Sequence, residues 1–410
     1  MLNPPDRRFR LGVNYWPARA ALTWWEHFDA AVVAADFQRI AAAGFDSVRL
    51  FLTWEAFQPD PHRVDGAMLD RLVRVADLAA AAQLTIMPTL FTGHMSGANL
   101  LPGWAMEPAA ALSPPRFRVI SGQHVSTGQA RNWYDDDTVL PAQVLLAGTA
   151  ATALAGHPAL WAWDLGNENS NCAVPPNRDL AVQWLARVTD ALRHADPGVA
   201  ITIGLHMEDL ESDRRLGPAE AATVCDFLCM HGYPIYAPWA HGPTDDQLLG
   251  FLTEITSWLG GNAPVLFSEF GLPTIPLAMS GAVQPPSSML VEEAVAATYT
   301  DRALDQLQRA GATGALLWCA HDYAASVWND PPFDTAQHER HFGMWRQDGS
   351  PKPALAAIRS HHGREIINTS PARPWIDIEP DAFYTPDGSH LPRLYQRYRA
   401  HAASVPIPPG

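Results

Sequence analysis

Short apolar runs rich in Val, Ile, Leu and Phe recur along the chain, separated by longer amphipathic stretches. The runs are LGVNYW (11–16), DSVRLF (46–51), LTIMPTLF (84–91), LWAWDLG (160–166), AITIGL (200–205), DFLCMHG (226–232), PVLFSEF (264–270) and GALLWCA (314–320). Between them lie AAVVAADFQRIAAAG, MLDRLVRVADLAAAAQ, DLAVQWLARVTDALRHA and VEEAVAATYTDRALDQLQRAG. Apolar residues recur there at three and four positions, which predicts helices with one buried face. Gly44 and Gly311 follow two of these stretches, where a helix-ending glycine belongs.

Strands alternating with helices predict an α/β fold, a parallel (β/α)₈ barrel. A doubly wound open sheet would advertise a glycine-rich phosphate loop, and neither G-x-G-x-x-G nor G-x-x-x-x-G-K occurs. Two connections are long: Thr92 to about Asp137, and His321 to about Pro351. Both leave carboxyl ends of strands, the face where barrel chemistry occurs, so they are expected to wall in a pocket. The reading is a single catalytic barrel over 1–370. The tail 371–410, with the short helical pattern LPRLYQRYRAH, is expected to be a strap packed on it.

Composition narrows the partner. The formal charge is −15, from 28 basic and 43 acidic residues, which disfavours nucleic acid, anionic membranes and polyanions and favours a neutral ligand. Fifteen tryptophans exceed the needs of most cores, and flat indole faces suit sugar rings. The N-terminal stretch MLNPPDRRFRLGVNYW has no apolar h-region, and no long apolar span occurs, so the expectation is a cytoplasmic protein. Cys172, Cys225, Cys229 and Cys319 fit no disulfide or metal framework.

Polar residues gather at the predicted strand ends: Asn14, Arg49, His94, Asn167, Glu168, His206, His231, Tyr233 and Glu269. A barrel brings such positions around one axis. Glu168 and Glu269 stand out, because a carboxylate in an apolar run is costly unless paired or used. Two carboxyls facing one another are the apparatus of glycoside cleavage, one donating a proton and the other ionised. Arg49 would keep Glu269 ionised and below a free Glu. Glu168 is expected to titrate above a free Glu, raised by the second negative charge and a dry setting, so that the rate–pH profile is bell-shaped. No metal or cofactor is expected: HERH (338–341) is not H-E-x-x-H, and the HH pair at 361–362 is expected to face solvent. A serine nucleophile is disfavoured because no G-x-S-x-G elbow occurs.

Together LGVNYWP, SVRLFLTWEAFQP, WDLGNEN, HGYPIY, LFSEFG and LLWCAHDY resemble clan A glycoside hydrolases, in particular the family 5 mannosidases and mannanases, over about residues 10–362 and into the tail. The resemblance implies a retaining double displacement with Glu168 as acid/base and Glu269 as nucleophile. It implies Asn167 at the sugar 2-OH, Arg49 and Tyr233 on the nucleophile, His231 beside the acid/base and Trp318 beneath the cleaved sugar. His94 resembles the third-strand histidine, within an FTGHMSG that departs from the commoner pattern. GVNYWP, FTGHMSGANLLPGWA and DAFYTPDGSHLPRLYQRY are most similar to β-mannosidases, so a neutral β-mannoside or short oligosaccharide is the expected substrate, cut from one end. Endo-β-1,4-mannanase, β-glucosidase and β-galactosidase activities, and a sugar-binding barrel without turnover, are the alternatives. Trp16, Trp54, Trp104, Trp133, Trp239 and Trp328 are further candidate platforms.

Overall fold

In the computed structural model, residues 7–108, 115–277, 289–368 and 372–404 are described. Eight parallel strands close into a barrel in the order β1-β8-β7-β6-β5-β4-β3-β2. They are β1 (Arg10–Asn14), β2 (Ser47–Phe51), β3 (Thr85–Phe91), β4 (Ala162–Asn167), β5 (Ala200–His206), β6 (Leu228–His231), β7 (Val265–Phe270) and β8 (Gly314–Leu317). Every one falls within one residue of a predicted apolar run, because strands covered by helices outside and by side chains inside must be apolar throughout.

Helices α1 (Ala30–Ala42), α2 (Gly66–Ala81), α3 (Val139–Leu154) and α4 (Arg178–Ala195) follow the first four strands. After β6, β7 and β8 come α5 (Gln247–Leu259), α6 (Glu293–Arg309) and α7 (Leu355–His361), while β5 leads into the short helix Pro218–Ala221. Asp29, Asp65 and Asn177 cap α1, α2 and α4 by accepting from backbone N–H groups of the first turn. Gly44 and Gly311 hold φ of 99° and 78° just past α1 and α6, as the helix-ending reading requires.

Inside the barrel, Met87, Ala162, Cys229, Leu266 and Leu316 form a small apolar layer separate from the main core. Because side chains on a strand alternate, the residue two further on points the same way. In these five strands that residue is Thr89, Asp164, His231, Ser268 or, just beyond β8, Trp318. The apolar layer is therefore a floor, and the polar site is the storey above it. Cys172, Cys225, Cys229 and Cys319 are all free of disulfides.

The long connection after β3 is not a bare loop. It contains a four-stranded sheet, in the order 94–95, 98–100, 118–121, 124–126, and a two-stranded ribbon of 106–108 with 128–130. Arg118 ties this wall to the connection after β8 by bonding Asp334 at 2.7 and 3.0 Å. In the tail, whose expected first residue Pro371 lies outside the described residues, helix α8 (Leu391–Ser404) lays Tyr395 and Tyr398 against Phe251 of α5. Tyr395 also donates to buried Asp245 at 2.7 Å. His361 is a correction to the expected solvent-facing pair: it is fully buried, its Nε2 3.1 Å from Asp301, whereas His362 is exposed and meets the Gly44 carbonyl. No helix among the described residues is long and apolar enough to cross a membrane.

Candidate active site

Strand register sets the site. His206, His231 and Glu269 are direct neighbours across β5, β6 and β7, and Asn14 pairs with Arg49 across β1 and β2. Register shifts interrupt β4 between Asp164 and Asn167, and the β6–β7 pairing between Met230 and His231. Such irregularities re-aim side chains at strand ends. Glu168, the residue after β4, holds left-handed backbone with φ 50° and ψ 47°, an unusual state for a non-glycine residue. Its backbone N–H bonds the Gly204 carbonyl, which fixes the turn.

The two carboxyls converge. Single oxygens of Glu168 and Glu269, with one ring nitrogen of His231, all lie within 4.8 Å of one another. His231 Nδ1 stands 3.0 Å from Glu168 Oε1 and 3.6 Å from Glu269 Oε1. Such a triangle could in principle ligate a cation, but Glu269 already has its oxygens engaged. Arg49 Nη1 donates to Oε1 at 2.5 Å, and the Tyr233 phenol donates to Oε2 at 3.0 Å.

Arg49 is the hub beneath this pair. Its fully buried guanidinium also donates to Asn14 at 3.1 Å, to Asn167 Oδ1 at 2.7 Å and to Asp164 Oδ2 at 2.6 and 2.9 Å. Burial alone would lower its pKa, but Asp164 and Glu269 raise it further above the ordinary arginine value, so the charge is permanent. Gly204 makes room for it: a Cβ there would meet the Gly166 carbonyl at 2.9 Å, Arg49 Nη2 at 3.0 Å and His231 Cε1 at 3.1 Å. Asp164 was not among the sequence candidates. The signal was present, a carboxylate in the middle of a fully buried strand, where it must be held by a cation and donors, here Arg49, the Thr89 hydroxyl and the Gly166 and Gly204 N–H groups.

Around Glu168 the expected electrostatics are reversed. Burial pushes its carboxyl up, yet His206, His231 and His94 outweigh it and hold the group well below the usual carboxylate range. The ring nitrogens of His94 and His206 lie 3.9 and 3.8 Å from Oε2. Burial would also lower His206, but Asp209, then Glu168 and Glu208, raise it above an ordinary histidine. His94 goes the other way, lowered mainly by burial, with its Nδ1 2.8 Å from Asn99. Asn167 is fixed at both ends, donating to the His94 carbonyl at 2.7 Å while accepting from Arg49.

A cavity of about 480 Å³ opens above these groups. It is lined by seven of the nine strand-end polar candidates, namely His94, Asn167, Glu168, His206, His231, Tyr233 and Glu269, and by Trp318 on its wall. Arg49 lies under it. The other six candidate tryptophans are not among its lining residues. Trp16, Trp54 and Trp133 are buried in the core, and Trp104, Trp239 and Trp328 spend their indole N–H on Gln58, Glu211 and Tyr323. Sequence reasoning missed Tyr236, His338 and Glu339, which the connections after β6 and β8 bring to the wall. His338 and Glu339 belong to the HERH stretch, whose composition points only to a metal motif.

No protein-family model matches the chain, and no curated protein matches it. Solved structures do. A GH5_18 protein from Streptomyces cattleya, crystallised with GlcNAc, has a TM-score of 0.70 at 24% identity, over 87% of this chain and 80% of that one. The exo-β-1,4-mannosidase Op5Man5 from Opitutaceae bacterium strain TAV5 has a TM-score of 0.70 at 25% identity, over 88% of this chain and 62% of its own length. A GH5_18 variant from Bifidobacterium longum subsp. longum, in complex with Manβ1-4GlcNAc, has a TM-score of 0.70 at 20% identity, over 86% of this chain and 77% of that one. The chain thus shares the barrel fold of these structures, the fold that the motif resemblance implies.

Proposed function

We propose that this protein is a retaining β-glycoside hydrolase that releases terminal mannose from short β-mannosides. The observation that carries the reading is the approach of Glu168 and Glu269 to within 4.8 Å through single oxygens. Separations of about 5–5.5 Å between the carboxyls go with a covalent intermediate, whereas a water-activating pair stands about 6.5–9.5 Å apart.

In the first step Glu269, oriented by Arg49 and Tyr233, attacks the anomeric carbon, and Glu168 gives a proton to the leaving oxygen. In the second step Glu168 takes a proton from water as that water displaces Glu269. A carboxyl held low in the free site is a poor acid by itself. His231 Nδ1, 3.0 Å from Oε1, is the imidazole in hydrogen-bond reach to pass Glu168 its proton, while His206 and His94 act on the carboxyl from 3.8 and 3.9 Å through their electrostatics. The entering sugar and aglycone expel water from the cavity, which favours the neutral carboxyl. Asn167 would take the 2-OH and Trp318 the ring face.

Removal of one terminal sugar is favoured by a pocket walled by the connections after β3, β6 and β8. Mannose is favoured by the exo-β-1,4-mannosidase and the Manβ1-4GlcNAc complex among the similar structures. A neutral substrate suits the acidic chain, and a cytoplasmic address suits short oligosaccharides. The test is a panel of aryl β-glycosides, β-mannobiose and mannan, with the first-formed anomer followed by NMR. Release of β-mannose from chain ends supports the proposal. First formation of α-mannose would refute retention, and rapid mid-chain cutting of mannan would refute the exo assignment.

A further inference from the structure

One carboxylate on the cavity wall has no part in the steps above. Glu339, on the 3₁₀ turn Gln337–His341 after β8, is 7% exposed and lines the cavity. Buried carboxylates normally sit against an arginine or lysine. Among the described residues, Glu339 has an ion-pair contact only with His338, at 3.5 Å. Three neutral donors hold it instead: Trp318 Nε1 and the Ser96 hydroxyl reach Oε2, each at 3.2 Å, and the Tyr236 phenol reaches Oε1 at 3.1 Å.

These donors come from three different connections. Ser96 stands with Gly97 in the two-residue turn joining 94–95 to 98–100; both have positive φ, which suits a tight hairpin. Tyr236 follows β6 and is braced by His338 Nε2 at 2.6 Å. Trp318 follows β8, so its edge is fixed by the same carboxylate that faces the pocket. The other wall carboxylates are occupied differently: Glu208 is paired with Arg116 and Arg214, and Glu211 accepts from Trp239. An ionised carboxylate has about four lone-pair positions, so three bonds leave Glu339 able to accept more. Burial raises its pKa, while His338 and the three donors pull it back down.

We propose that Glu339 is a substrate-binding residue that accepts hydrogen bonds from the C3 and C4 hydroxyls of the sugar resting on Trp318, and that it thereby restricts the pocket to chain ends. The inference rests on the glycosidase reading and deepens it. A free C4 hydroxyl has a proton to give. When another sugar is attached there, the oxygen becomes an ether, a pure acceptor facing a carboxylate. The mismatch excludes internal residues by charge and hydrogen bonding as well as by size.

The experiment measures calorimetric binding of methyl β-mannoside and its 3-deoxy, 4-deoxy and 4-O-methyl analogues to the chain with Glu339 intact, the wild type for this comparison, and to Glu339→Gln, both carrying Glu269→Ala so that the sugars are not turned over. Wild-type protein is expected to bind the 4-deoxy or 3-deoxy analogue about 10- to 150-fold more weakly than the parent, and the 4-O-methyl sugar at least as poorly. Glu339→Gln should lose most of the discrimination and recover affinity for the 4-O-methyl sugar, because its amide can donate to an ether oxygen. A variant that folds normally by circular dichroism yet keeps the full discrimination would overturn the proposal. So would equal binding of parent and both deoxy analogues to wild type, a result that needs no variant. Hydrolysis is scored separately. Discrimination without turnover would sink the glycosidase reading alone, and turnover without discrimination would sink the role of Glu339 alone.

Discussion

His206 Nδ1 stands 3.8 Å from Oε2 of Glu168, while the His206 backbone N–H donates to Asp209 at 3.0 Å. A histidine raised in the folded state contributes stability that is fully present below its unfolded pKa, about 6.5, and lost as pH rises through the folded value. Thermal unfolding midpoints are therefore expected to fall above neutrality, and the fall should shrink by about 1–3 °C in His206→Gln. A slope unchanged in the variant would show that His206 does not carry this charge.

Glu168 gives the opposite sign. Its folded pKa is depressed, so its contribution is present above about pH 4.3 and lost as the pH drops toward the folded value. Glu168→Gln is expected to flatten the acid limb of the stability curve. In activity, the same variant should be slowed far more on alkyl mannosides than on aryl mannosides with acidic leaving groups, which need little protonation. Equal losses on both would argue against the acid role.

Replacing Glu269 by Ala should lower kcat by at least about 10³-fold while leaving sugar affinity measurable. Mass spectrometry of wild type quenched with a 2-fluoro mannoside is expected to place the label on Glu269. Labelling elsewhere would identify a different nucleophile.

Arg49→Met removes the cation from between Asp164 and Glu269, leaving two buried carboxylates without it. A loss of about 3–5 kcal/mol in denaturant unfolding is expected, together with loss of turnover. Gly204→Ala tests the same centre from the backbone side. Its methyl would press on the Gly166 carbonyl and on Arg49, at a cost of about 1–3 kcal/mol, and should reduce kcat through the displaced guanidinium. An active, fully stable Gly204→Ala protein would mean that the packing there yields.

The eight strands and both central carboxyls could be read from the chain because each rests on a local contrast. A doubly covered strand is an unbroken apolar run, and Glu168 or Glu269 inside such a run is conspicuous. Glu339 offers no such contrast. It sits in a connection without periodicity, and its surroundings come from Ser96, Tyr236 and Trp318, far away in sequence. His361 was misplaced for the same reason, since its partner Asp301 lies on another helix. The titration of Glu168 depended on three imidazoles arriving from β5, β6 and the connection after β3, an encounter that only closure of the barrel arranges.

One guanidinium gathers acceptors from strands β1, β4 and β7 while itself projecting from β2. Thermal wear on this enclosure and decline of the proposed chemistry would then share a single origin. Heating should take away turnover and barrel together, in one cooperative event, with no window in which an intact shell surrounds a dead centre.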